Sequence, residues 1–180
     1  MEPRPARFYP FRAGEGTGPV PYDGDVTDAM ARQLQDFRER LEVGFGDALV
    51  TLAAFGSQVQ GRARPESDLD VLIVVRGLPR RRSDRWRLVS RIAHAVSDEF
   101  AQTIAAIVLT PEEAATVKPF YLGLLDGHRV LVDRDGFLQG VLARLERRLG
   151  ELGSRRLTDE QGNPYWDLKP DYVLGEDVVL

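Results

Sequence analysis

The chain has 180 residues, 43% of them hydrophobic, with no cysteine, two histidines and a formal charge of −4. That is one domain's worth of sequence with enough apolar material for an ordinary core. It excludes a disulfide framework or thiolate metal site, offers no global basic field that would mark a nucleic-acid binder, and contains no run of about 18 apolar residues to span a membrane. The N-terminus, MEPRPARFYPFRAGEG, lacks the apolar stretch of a secretory signal, so a cytoplasmic location is expected.

Residues 1–26 carry Pro3, Pro5, Pro10, Pro19 and Pro21 with Gly14, Gly16, Gly18 and Gly24, which predicts an irregular arm. Phe8, Tyr9 and Phe11 are its anchors, either on its own domain or on a partner chain in a homodimer. From Thr27 the pattern changes: Met30, Leu34, Phe37 and Leu41 recur at helical spacing, Thr27 can cap, and Gly44 and Gly46 end the helix. A first core strand over 48–55 follows.

The segment AFGSQVQGRARPESDLDVLIVV, residues 54–75, holds the chemistry. Gly56 and Ser57 form a small-residue turn where backbone N–H groups can approach an anion. A helix starting there would add its N-terminal amides and dipole, with the Ser57 hydroxyl beside them. A second strand is expected over 68–75, and alternation then puts Asp68 and Asp70 on one face. Two like charges at a strand's mouth repel unless a proton or a cation intervenes. A divalent cation is the simplest answer, and oxygen ligands without cysteine point to magnesium or manganese rather than zinc. Phosphate-binding amides beside such a pair suit phosphoryl or nucleotidyl transfer. Gly56 to Gly61 also has the glycine spacing of a P-loop, but Arg62 and Ala63 stand where that motif needs Lys and Ser or Thr, so the P-loop reading fails.

Between Arg76 and Arg91 there are seven arginines against the single acid Asp84. They form either a solvated helix face or a receiver, through Arg80, Arg81, Arg82 or Arg85, for a triphosphate tail or an acidic acceptor. An RNA backbone ranks below these, because the run lacks the repeated interleaved aromatics of a stacking surface. One helix is expected over 84–100, capped by Ser83, with Leu88, Ile92 and Val96 inward and His94 a satisfied core histidine. A strand over 103–109 leads to Thr110-Pro111-Glu112-Glu113, a capping-box helix start. Residues 118–125 are ambiguous. Asp126-Gly127 turns into a short strand over 129–132, and Asp133 and Asp135 serve the turn and cap of a helix over 136–152. The remainder, from 153, is an acidic strap anchored by Tyr165, Trp166 and Tyr172, with its own domain, a dimer edge or the arginine run as the surface it covers.

Gly56-Ser57 followed by Asp68-Leu69-Asp70 and an apolar strand resembles the signature of the DNA polymerase beta nucleotidyltransferase superfamily, and is most similar to its small bacterial minimal nucleotidyltransferases. The resemblance implies an α/β domain over 27–152, with a mixed sheet flanked by helices, between the arm of 1–26 and the strap of 153–180. It implies a magnesium-dependent transferase that moves a nucleoside monophosphate from a nucleoside triphosphate, expected to be ATP, to an acceptor hydroxyl. In that scheme Gly56 and Ser57 grip the triphosphate, Asp68 and Asp70 hold the metal, and Arg62 or Arg64 assists. The family's third carboxylate would fall near Ala105, and no acid lies between Phe100 and Pro111. The alternative is therefore an impaired nucleotide-binding or protein-interaction module, with a helical HEPN-type protein as the partner the resemblance suggests.

Overall fold

In the computed structural model the described residues are 28–180, except 65, 66, 163 and 175. The N-terminal arm and the Thr27 cap lie outside them. Helix α1 spans Asp28–Phe45 and buries Leu34, Phe37 and Leu41, the spacing read from the sequence. Gly44 stays inside it; Gly46, at φ +53°, ends it. A single 3-10 turn then delivers strand β1, Leu49–Phe55.

Strand β2 covers Leu69–Val75, helix α2 Arg82–Val96 and helix α3 Asp98–Thr103. The single helix expected over 84–100 is thus two. Ser97 breaks it by taking an extended conformation and accepting a hydrogen bond from the Phe100 amide, which caps α3. Ser83 does not cap α2, which begins without a side-chain cap at Arg81. Its buried residues are Arg85, Val89 and Ala93, while Leu88 is exposed. Ile92 and Val96 pack on the first core as the apolar pattern predicts, partly buried, but the fully buried line runs one residue on, where a buried ion pair, described below, holds Arg85.

Strand β3 is Ile104–Leu109 and helix α4 Pro111–Ala115, which carries the expected capping box: the Thr110 hydroxyl accepts from the Glu113 amide and the Glu113 carboxylate accepts from the Thr110 amide. The ambiguous stretch forms helix α5, Phe120–Asp126, tied to α4 by the Tyr121 hydroxyl donating to the Ala114 carbonyl at 2.6 Å. Strand β4, His128–Asp133, and helix α6, Phe137–Glu151, follow. The Asp133 carboxylate accepts from the Leu138 and Gln139 amides at the start of α6 and from the Thr51 hydroxyl of β1, so it is a structural cap.

The sheet order is β3-β2-β1-β4, with β2 parallel to β3 and β1 antiparallel to both its neighbours. Alternation along the central strands feeds two cores, one on each face. Leu52, Ala54, Leu69, Val71 and Ile73 meet α1, α2 and Phe100; Ala53, Phe55, Leu72 and Val74 meet α5 and α6. The chain closes with a two-stranded hairpin, β5 (Arg155–Thr158) and β6 (Pro164–Asp167). Trp166, Leu168 and Leu180 lay the tail against the second core, while Tyr165 and Tyr172 stay exposed. The strap therefore packs on its own domain. Among the described residues, no helix is long and apolar enough to cross a membrane.

Candidate active site

All seven residues of β1 are buried, and the strand ends abruptly at Gly56 with φ +81°. L-residues with side chains avoid that region, so the reversal itself demands glycine. The chain does not enter a helix after it. One turn closes, through Gln60 N–H to the Gly56 carbonyl at 3.1 Å and Arg62 N–H to the Ser57 carbonyl at 3.0 Å, and then the segment runs irregularly. Gly61 and the polar residues beyond it supply no apolar stripe to hold a longer helix down. What the turn provides is local: among the described residues the amides of Ser57, Gln58 and Val59 have no hydrogen-bond acceptor, a grouping of donors that suits an anion.

The loop returns in a fixed way. Gln58 donates from Nε2 to the Ser67 carbonyl at 2.8 Å, and Ser67 exchanges bonds with Arg64, its hydroxyl accepting from the Arg64 amide and its own amide donating to the Arg64 carbonyl. Those contacts set Asp68 just before β2 rather than in it. Asp68 is exposed; Asp70 is half-buried in the strand. A methyl group placed on Gly56 would lie 2.3 Å from Oδ2 of Asp70, so the carboxylate sits directly over the glycine. Glycine is required there twice, for its backbone angle and for the space above it. Burial, and then the neighbouring Asp68 charge, raise the proton affinity of Asp70 above the ordinary carboxylate range.

Register extends this pair into a row. Asp70 is opposite Phe55 on β1 and Ala105 on β3, and Phe55 is opposite His128 on β4. Ala105 is thus the β3 residue beside Asp70, on the same face, and it contributes a methyl group where a third acid is expected. His128 lies two strands from Asp70, about 10 Å away at ordinary strand spacing, behind Phe55. Its Nδ1 is 2.7 Å from the Leu124 carbonyl, an arrangement in which the ring nitrogen donates. Among the described residues, no three His, Cys, Asp or Glu side chains gather as a metal cage. The Asp70 carboxylate over Gly56, with the Asp68 charge near it, is a donor pair that would suit an ion that keeps several waters and completes its shell with substrate phosphates, as magnesium does.

The other sequence candidates fall in several places. Arg62 is exposed and donates to Oε1 of Gln60, whose Nε2 donates to the Gly123 carbonyl at 3.3 Å. It lines a hollow of about 370 Å³ with Gln60, Asp126 and Arg156. Arg64 is exposed at the loop's outer corner. Arg85 is not free for a phosphate: its side chain is only 5% exposed, donates to the Pro79 carbonyl at 2.6 Å and forks onto Glu113 at 2.5 and 3.1 Å. That guanidinium, followed by the Thr110 amide, holds the Glu113 carboxyl down at about 2. His94 is not a core residue; it is exposed, with Nδ1 2.9 Å from Asp98. Sequence reading missed Arg156, which pairs with Asp126 at 2.6 Å beside the turn. Its only signal was the pair Arg155-Arg156 at the head of an otherwise acidic tail, where the overall charge excess conceals it.

Residues 31–123 match the family described as nucleotidyltransferase domain. A Methanocaldococcus jannaschii protein described as "Putative protein adenylyltransferase" is 30% identical over 115 residues, which cover 63% of this chain and 78% of that protein. Among solved structures, a Sulfolobus solfataricus protein described as "a putative nucleotidyltransferase" is 23% identical, with a TM-score of 0.39 over 67% of this chain and 95% of that one. A toxin-antitoxin structure with AMP-PNP is 14% identical, with a TM-score of 0.44 over 66% and 92%.

Proposed function

Because this chain belongs to the nucleotidyltransferase domain family, we propose that it is a magnesium-dependent transferase that moves a nucleoside monophosphate from ATP to a hydroxyl group of a protein. The observation that carries the reading is the Asp70 carboxylate lying over a left-handed Gly56, with Asp68 beside it and unbonded amides in the turn below. A protein acceptor agrees with the name of the archaeal relative.

In this scheme the turn amides of residues 57–59 and the Ser57 hydroxyl hold the distal phosphates, and Arg62 adds positive charge at the rim. Asp68 and Asp70 are the residues that would hold the metal, which supplies charge neutralisation on the polyphosphate when bound. The acceptor oxygen bonds to the α-phosphorus, the bond from that phosphorus to the bridging oxygen breaks, and pyrophosphate leaves with the electron pair. With no acid at Ala105 the hydroxyl proton is released to solvent. The chain's contribution is positioning and electrostatics, and activation of the nucleophile is its weak step.

A second reading rests on that same position. Ala105 beside Asp70 also suits a module that binds nucleotide, or a partner protein of the HEPN type suggested by the sequence resemblance, without turnover. Transfer of α-labelled ATP to candidate acceptor proteins separates the two. The transferase reading expects label incorporation in the wild type, its loss in Asp68→Ala and Asp70→Ala, and a gain in Ala105→Asp. Tight nucleotide binding with no incorporation, unchanged by Ala105→Asp, leaves the module.

A further inference from the structure

Strand β3 is the edge of the sheet, so about half of its backbone N–H and C=O groups point away from β2. Among the described residues no other strand or loop bonds to that edge between Ala105 and Leu109. The edge is recessed. Ala106 to Leu109 form the floor of a slot of about 410 Å³ walled by Arg82, Arg85 and Trp86 from α2 and by Lys118 and Phe120 from the other side. The walls belong to opposite faces of the sheet, since α2 buries Val89 and Ala93 in the first core and Phe120 packs on the second. A recessed strand edge between two walls is the geometry that receives an added strand, with main-chain bonds for affinity and the walls for side-chain selection.

The walls say what kind of strand. Arg85 is balanced by Glu113, and Arg87 by Asp84. Among the described residues Arg82 forms no ion pair, and the Lys118 ammonium, which donates to the Glu113 carbonyl at 3.3 Å, shares the single Glu113 carboxylate with Arg85. The rim therefore holds surplus positive charge inside a chain whose net charge is −4. Trp86, 46% exposed on this charged helix, and the partly buried Phe120 add apolar surface. An occupant matching both features alternates acidic and apolar side chains, as an extended strand does.

The slot also points at the site. Its floor starts at Ala106, the residue after Ala105, and Ala105 is the register partner of Asp70. A strand added to β3 would pass about 10 Å from the Asp70 backbone, two strand spacings away. Ala105 places only a methyl group between them, where a longer side chain would stand between the added strand and Asp70. We propose that the β3 edge is the docking site for an extended, acidic segment of the polypeptide acceptor, laid down so that a hydroxyl-bearing residue near one end reaches the Asp70 row. The claim deepens the transferase reading by naming how the substrate is held, and it rests on that reading only for the hydroxyl's fate.

The test uses the full chain and a fluorescent peptide alternating glutamate and valine, read by anisotropy, with a lysine-for-glutamate peptide and a single-stranded RNA oligonucleotide as comparisons. ATP affinity is measured in parallel. The wild type is expected to bind the acidic peptide and not the basic one, and Arg82→Glu and Trp86→Ala, both at exposed positions, should each weaken it about tenfold or more. ATP affinity and thermal midpoint should stay unchanged in both variants. Equal binding of the two peptides, unchanged affinity in the variants, or preferential binding of the RNA with the same losses overturns the proposal. Peptide binding without any ATP binding leaves the docking site standing while the transferase reading falls.

Discussion

Gly56 is where backbone and chemistry constrain each other most tightly. An alanine there would have to hold φ +81° and place its methyl 2.3 Å from the Asp70 carboxylate. Gly56→Ala should cost roughly 2 kcal/mol or more in urea unfolding and abolish nucleotide binding, because the carboxylate and the turn cannot both keep their places. Asp70 sits in the opposite balance. Its charge is half-buried and faces Asp68, so its folded-state proton affinity is raised. A raised carboxyl contributes stability below its unfolded value near 3.8 that is lost as pH rises through the folded value, leaving a cost at neutral pH. Asp70→Asn should therefore raise the thermal midpoint at pH 7 while weakening nucleotide binding in magnesium, the usual opposition of stability and function at a site. A lower midpoint would mean that the ionised form is already well compensated.

Among the elements, the join between α2 and α4 carries a second charge arrangement with a different purpose. Glu113 serves the capping box and the buried Arg85 at once. Its carboxyl is held at about 2 against an ordinary 4.5, so the stability it confers is complete above about 4.5 and lost as pH falls toward 2. Glu113→Gln should flatten the acid limb of a stability-against-pH curve over that window, and at neutral pH cost about 2 kcal/mol by leaving Arg85 without its anion. The carboxylate's side chain is 36% exposed, which keeps the figure below that of a fully buried pair. The same join shows what sequence periodicity could and could not reveal. The capping box was legible because all its partners lie within four residues. The one-residue offset of the fully buried line of α2 was not, because it depends on an ion pair spanning 28 residues that turns an arginine inward and leaves Leu88 exposed. Likewise Gly56-Ser57 and Asp68-Leu69-Asp70 stand out in the sequence as a turn and an acidic pair, yet the helix expected between them is a single turn. That a third carboxylate would fall near Ala105 comes from the family resemblance alone; that Ala105 stands beside Asp70 comes from the parallel register.

For the molecule as a whole, the sheet sets the site at one end of its central strands and leaves one basic edge open, while the tail closes over the second core. Trp166 is the tail's main apolar anchor there, but among the described residues its buried indole N–H has no acceptor. Area and hydrogen bonding then separate cleanly. Trp166→Ala should cost about 2 kcal/mol, whereas Trp166→Phe, which keeps most of the area and removes the orphaned donor, should be neutral or mildly stabilising in the same denaturant titration. A large loss in Trp166→Phe would mean that the nitrogen has a partner. The sequence marks the tail as an aromatic strap, but of its three candidate anchors only Trp166 packs on the core, while Tyr165 and Tyr172 stay exposed.

Calorimetric titration of ATP into the full chain, with and without magnesium, in the wild type and in the double variant Asp68→Ala, Asp70→Ala, bears most directly on the site. Magnesium-dependent binding that disappears in the double variant is the result expected if the two carboxylates hold the metal beside a turn whose amides lack acceptors. ATP bound equally well without magnesium, or equally well after both acids are removed, would contradict it.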